Sequence, residues 1–143
     1  MVKPAVDGTL AVMKACTASK VKRCVITSSI SACQNPASTD KPADRVFNES
    51  HWSNPDRPEG LGLYHVSKTK AERAAWDYQA SLPEAERFDI VTILPGFVNG
   101  PPLRKESFAS GEFVKNLMNG NMKEISSDGI GAVDVRDVAL AHI

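Results

Sequence analysis

Along residues 3–19 the apolar positions Val6, Leu10, Met13, Ala15 and Cys16 recur near the helical period, and Pro4 sits where a first turn tolerates it. The pattern predicts an amphipathic helix. Gly8 lies inside it and should cost about 1 kcal/mol relative to alanine, which predicts a close packing neighbour there. Residues 23–28 form a short β-branched run without polar alternation, the signature of a buried parallel strand. Residues 34–62 hold little periodicity and are rich in Asn, Pro, Ser, Asp and Gly, so they predict a long connection. A second helical stretch runs over 63–81 and is stopped by Pro83. A second strand is predicted over 88–94, ended by Pro95-Gly96. Gly100-Pro101-Pro102 opens a loop carrying Arg104 and Lys105, a solvated basic pair by default. A short helix over 108–117 closes at Asn119-Gly120. Val133-Asp134-Val135 reads as a short strand or turn, with Asp134 capping a helix over 136–143. Helices alternating with apolar strands make this an α/β chain, read as one partial domain over 1–143.

Composition narrows the classes. The chain has 143 residues and is 42% hydrophobic, enough for one core. Lys+Arg 17 balance Asp+Glu 17, so no basic footprint argues for nucleic acid or an anionic membrane. No apolar run is long enough to span a bilayer, and no charged-then-apolar leader opens the chain. Cys16, Cys24 and Cys33 lack C-x-x-C spacing and read as reduced, partly buried thiols of a cytoplasmic protein, not as a metal site. Asn48-Glu49-Ser50 matches a glycosylation sequon that the missing leader makes a chance match.

The candidate chemistry lies in Tyr64-His65-Val66-Ser67-Lys68. A Tyr and a Lys four apart share one helix face. In such a pair the ammonium favours the phenolate, and a phenol so placed can exchange a proton with a carbonyl or alcohol oxygen. A second element stands 35 residues upstream: Val25-Ile26-Thr27-Ser28-Ser29, an apolar strand ending in hydroxyls. Ligands of open α/β sheets bind beyond such strand ends. Asp134 and Asp137 need no catalytic role, since capping and the helix dipole account for them. His65 reads as a partly exposed histidine without a ligand role.

With these motifs the chain resembles the extended short-chain dehydrogenases/reductases, close to the dihydroflavonol-4-reductase and yeast-type methylglyoxal or aldehyde reductase branch. Five stretches carry the resemblance in order: Val21 to Ser29, the "ES-W" loop Phe47 to Ser53, Tyr64 to Trp76, Val91 to Pro101, and Val133 to Ile143. It implies the later half of a Rossmann-type, doubly wound parallel sheet without its first βαβ units. The catalytic strand and helix would then fall in 21–95, and substrate-side loops in about 34–62 and 99–130. The implied catalytic set is Ser29, at the second position of the Ser-Ser pair, with Tyr64 and Lys68. Tyr64, Lys68 and the turn Pro95, Gly96, Phe97 and Val98 would meet the nicotinamide cofactor, NADP in most of the branch, with NAD left open. Glu49 and Trp52 would anchor the loop that roofs the substrate. Where flavonoid reductases place a substrate-reading Asn, this chain has Gln34 followed by Asn35, which argues against a flavonoid substrate. Gly60-Leu61-Gly62-Leu63 departs from the residues that cinnamoyl-CoA reductases carry before the tyrosine. The Ala71/Ala74/Ala75 face would suit a sheet or the partner of a homodimer.

No G-x-G-x-x-G occurs. That fingerprint supplies the pyrophosphate site, so the chain reads as an internal segment of a longer reductase, with weakened cofactor affinity by itself. Three function classes stay open. The first is a carbonyl reductase acting on a small-molecule aldehyde, ketone or dihydroflavonol-like substrate. The second is a nucleotide-sugar epimerase or dehydratase with the same Ser/Tyr/Lys set, against which the "ES-W" loop argues. The third is a non-catalytic fragment or binding module.

Overall fold

The computed structural model describes residues 1–34, 46–56, 62–104, 108–122, 124, 129 and 131–143. They divide into two compact units, Met1–Leu94 and Pro95–Ile143. Asn35, Gly60, Leu61 and Lys105 lie outside the described residues.

In the first unit α1 (Val2–Ala18) leads to β1 (Arg23–Thr27), a 3-10 turn (Ile30–Ala32), α2 (Leu63–Ser81), a second 3-10 turn (Glu84–Glu86) and β2 (Asp89–Ile93). β1 and β2 pair in parallel, from Arg23 opposite Asp89 to Thr27 opposite Ile93. Parallel neighbours need a crossover, and α2 lies in it. The core forms where α1, α2 and the start of β2 meet. Met13, Ala75 and Phe88 are buried together, with Cys16, Val21, Cys24, Ile26, Tyr78, Leu82 and Ile90 packed around them. Ala75 presents so little side chain that α1 can approach α2 closely, and the Thr17 and Tyr78 hydroxyls meet at 3.1 Å across that contact.

Two features depart from the sequence reading. A Cβ built on Gly8 meets nothing within 4 Å, so among the described residues no close neighbour demands this glycine. The turn at Ile30–Ala32 was not foreseen. It forms because the Ser29 side chain accepts a hydrogen bond from the Ser31 N–H and so caps a single turn.

The second unit pairs β3 (Phe97–Asn99) with β4 (Ala132–Asp134) in parallel. Between them lies α3 (Ala109–Met118), closed by Asn119 with Gly120 at φ 68°, the left-handed stop expected for Asn-Gly. After β4 comes α4 (Val135–Ala141), which ends two residues before the predicted limit. Asp134 caps α4 as predicted: its carboxylate accepts from the Arg136 N–H at 2.8 Å and pairs with the Arg136 guanidinium at 2.6 Å. These contacts hold the Asp134 carboxyl down at about 2. The strand character of Phe97–Asn99 was missed. Gly100 follows it at φ 140°, where an added Cβ would also come within 2.6 Å of Val135 Cγ1, so two constraints require glycine.

Among the described residues no helix is long and apolar enough to cross a membrane. Cys16, Cys24 and Cys33 are free and partly buried.

Candidate active site

β1 carries Thr27 and then Ser28-Ser29 past its carboxyl end. The Ser28 N–H donates to Ile93 O at 2.8 Å, extending the tie between the strands by one residue. Ser28 and Ser29 are each 7% exposed. Ser29 Oγ accepts from Ser31 N at 3.2 Å, an arrangement that leaves its own proton for another acceptor.

Tyr64 and Lys68 stand in the first two turns of α2, whose cap position is Gly62. The Lys68 ammonium lies 6.0 Å from the centre of the Tyr64 ring. Tyr64 is 48% exposed, and among the described residues nothing hydrogen-bonds its hydroxyl. The buried hydroxyls beside it are turned inward onto the helix. Ser67 donates to Tyr64 O at 2.7 Å and Thr69 to His65 O at 2.8 Å. Neither therefore competes for the Tyr64 phenol. The His65 ring stands edge-on to that phenol at 6.2 Å, and its Nδ1 is buried without a hydrogen-bond partner among the described residues.

Lys68 opens onto a cleft of ≈ 200 Å³ between α1, β1 and α2, where Thr9, Ser28, Ser67 and Glu72 also contribute. Of the Ser28-Ser29 pair it is Ser28 that lines this cleft; the predicted Ser29 sits one residue on, in the turn that packs against α2. Gln34 lies elsewhere in the unit. It borders a cleft of ≈ 410 Å³ with Cys33, Asn48 and Glu49, whose lining contains none of Ser29, Tyr64 and Lys68. Burial, reinforced by the charges of Glu72 and Glu49, pushes the Cys33 thiol up and makes it a poor nucleophile. Burial likewise raises Cys24, with Cys16 beside it adding to the effect.

The loop bearing Glu49 and Trp52 is held to this frame. Ser53 is fully buried, donating from N–H to Ala32 O at 2.8 Å and from Oγ to Ser31 O at 2.9 Å. The Arg73 guanidinium stacks over the Trp52 ring at 5.1 Å, an anchor from α2. Pro95, Gly96, Phe97 and Val98 belong to the second unit. The close approach that Gly96 permits is to backbone: an added Cβ would lie 2.2 Å from Gly131 O, the carbonyl that accepts from Phe97 N at 2.7 Å. Phe97 packs edge-on against Phe113 at 5.1 Å, and Val98 lines a cavity of ≈ 610 Å³ with Asn99, Arg104, Phe108 and Val135.

In comparisons with known proteins no family model matches the chain. Cinnamoyl-CoA reductase 1 of Arabidopsis thaliana is 40% identical over 144 aligned residues, covering 100% of this chain and 40% of the relative. The yeast methylglyoxal/isovaleraldehyde reductase Gre2, solved in complex with NADPH, superposes with a TM-score of 0.81 at 30% identity, over 99% of this chain and 45% of that one. Along its whole length the chain is similar to reductases of the extended short-chain dehydrogenase/reductase type. Vestitone reductase from alfalfa (Medicago sativa L.) matches with a TM-score of 0.78 at 34% identity, over 99% of this chain and 44% of that one. The chain thus spans less than half the length of these relatives. Its parallel strands and helices match part of the family's Rossmann-type fold. The 40% identity to a cinnamoyl-CoA reductase persists despite the local departure at residues 60–63.

Three polar residues of the site escaped the sequence reading. Glu72 is 5% exposed and accepts a hydrogen bond from the Ser28 hydroxyl. Ser28 was passed over for its neighbour, and Ser53 was lost in a loop without periodicity. The one available signal was spacing: Glu72 extends the Tyr64–Lys68 row by another four residues on the same face.

Proposed function

We propose that this chain carries the proton-transfer site of an NADPH-dependent carbonyl reductase, the reaction class of the reductases it resembles. Ser29, Tyr64 and Lys68 are its catalytic residues. The observation that carries this reading is the Tyr64–Lys68 pair on one face of α2, with Lys68 opening onto a cleft at the carboxyl end of β1. The relatives are named for the reduction of cinnamoyl-CoA, of vestitone and of methylglyoxal or isovaleraldehyde, which supports a carbonyl substrate without choosing among them.

The donor set fits a nicotinamide nucleotide on the Lys68 side. Among the described residues the Lys68 ammonium has no ion pair, so it is free to bond a ribose hydroxyl. Pro95, Gly96, Phe97 and Val98 are the residues proposed to meet the nicotinamide. When bound, NADPH supplies the hydride. The chain's own residues handle the oxygen. The Ser29 hydroxyl donates a hydrogen bond to the substrate carbonyl, holding it where negative charge develops. The Tyr64 hydroxyl delivers its proton to that oxygen, while Lys68 favours the phenolate left behind.

The test is NADPH consumption by the full-length protein with aldehydes, ketones and hydroxycinnamoyl-CoA thioesters offered in turn. Reduction of at least one class, with the alcohol or aldehyde product recovered, is expected. A folded protein that binds NADPH and reduces none of them would overturn the proposal.

A further inference from the structure

Resting on that reading, we infer that Glu72 is a positioning residue for Ser29, acting through Ser28. Glu72 is a carboxylate 5% exposed on the buried face of α2, and Ser28, 7% exposed, donates its hydroxyl to it. A carboxylate in such a place is costly unless hydrogen-bonded, so evolution of a bland core would favour an apolar residue of its size. Its partner explains its presence. Ser28 is held twice: its N–H bonds Ile93 O at 2.8 Å on β2, and its hydroxyl bonds Glu72 on α2. The strand tip is therefore fixed to both the neighbouring strand and the helix that bears Tyr64 and Lys68. Ser29 is the next residue, and its Oγ already accepts from the Ser31 N–H. Its remaining freedom is set by where the backbone of Ser28 stands.

Glu72 also stands one helical turn beyond Lys68 and lines the same cleft. It borders a second cavity of ≈ 270 Å³ with Cys33, Glu49 and Trp76. Loss of the carboxylate would leave the Ser28 hydroxyl unpaired in a buried site and free the strand tip to shift relative to Tyr64. A misplacement on the order of 1 Å at a reacting group can cost about a hundredfold in rate. Glutamine keeps the length and an acceptor oxygen, so it should retain most of the geometry.

The experiment compares Ser28→Ala, Glu72→Ala, the double variant and Glu72→Gln in the full-length protein. Turnover is measured per molecule able to bind NADPH. The expected result is a kcat fall of roughly ten- to a hundredfold in both single alanine variants, with KM for NADPH little changed. The double variant should be no worse than Glu72→Ala alone, and Glu72→Gln should recover most of the loss. Should Glu72→Ala fail to fold, Ser28→Ala and Glu72→Gln decide by the same readouts. Full kcat in the folded fraction of Ser28→Ala, or additive losses in the double variant, would overturn the inference. An unsubstituted protein that reduces nothing marks instead the failure of the reductase reading on which it rests.

Discussion

Tyr64→Phe removes one hydroxyl and leaves the ring. The ring is 48% exposed in the first turn of α2, and among the described residues no group hydrogen-bonds the hydroxyl. Its removal therefore leaves no buried partner unsatisfied, and the stability change should stay within about 0.5 kcal/mol. The catalytic effect should be of another order. A positioned general acid contributes about 10²- to 10⁴-fold. At about 1.4 kcal/mol per factor of ten, that is roughly 3 to 5 kcal/mol of barrier. The assay pairs urea unfolding with steady-state reduction and with NADPH fluorescence titration. The expected outcome is an unchanged unfolding midpoint, cofactor affinity close to that of the unsubstituted protein, and a kcat lower by two to four orders of magnitude. A variant within tenfold of normal kcat, at normal stability, would refute the proton-donor role. A variant that loses turnover only because it unfolds would refute the claim that Tyr64 lies outside the packed frame.

Met13→Ala should destabilise the first unit by about 2 to 5 kcal/mol, because Met13 is fully buried between Ala75 and Phe88 and the site cannot refill the space; urea midpoints measure it, and a loss below 1 kcal/mol would contradict the packing. Gly8→Ala should stabilise α1 by about 1 kcal/mol, since a Cβ there meets nothing within 4 Å; a destabilised variant would mean that a neighbour lies against it. The Asp134 carboxyl is held at about 2, below its ordinary value near 3.9, by hydrogen bonds from Arg136. Its folded pKa is lowered, so its stabilisation of α4 is present above the ordinary carboxyl range and lost as pH falls toward 2. Asp134→Asn should remove that pH dependence, and a carboxyl titration followed by NMR that centres near the unperturbed value would contradict the pairing.

The long elements were legible because each repeats its signal. α2 was read at its observed limits, since nineteen residues of helical pattern end at a proline-bounded stop. β1 and β2 came from short apolar runs and do pair in parallel, but the burial expected of β1 is not met: the residues of both strands are half-buried or exposed. The Asp134 cap was local and so was visible. What failed was short or distant. Three residues of β3 carry no period, and their strand character comes from pairing with β4 far along the chain. The Ser28–Glu72 bond joins residues 44 apart, and the helical spacing that puts Glu72 on the Tyr64–Lys68 face does not name Ser28 as its partner. Gly8 looked like a packing device because glycine in a helix is costly, yet its position is open. Gly96 looked like a surface for a flat ring, and its glycine is already required by the Gly131 carbonyl. In each case the residue type was informative about constraint and silent about its source.

One measurement bears most directly on the assignment of Ser29, Tyr64 and Lys68 to carbonyl reduction. NADPH carrying deuterium at the transferable position of nicotinamide C4 is incubated with the full-length protein and its best carbonyl substrate, and the product is analysed by NMR. The account predicts one deuterium on the former carbonyl carbon, on a single face where that carbon becomes a stereocentre, and transfer that Ser29→Ala, Tyr64→Phe and Lys68→Met each suppress. Label retained in the cofactor pool while substrate is converted, or transfer that survives all three substitutions, would contradict it.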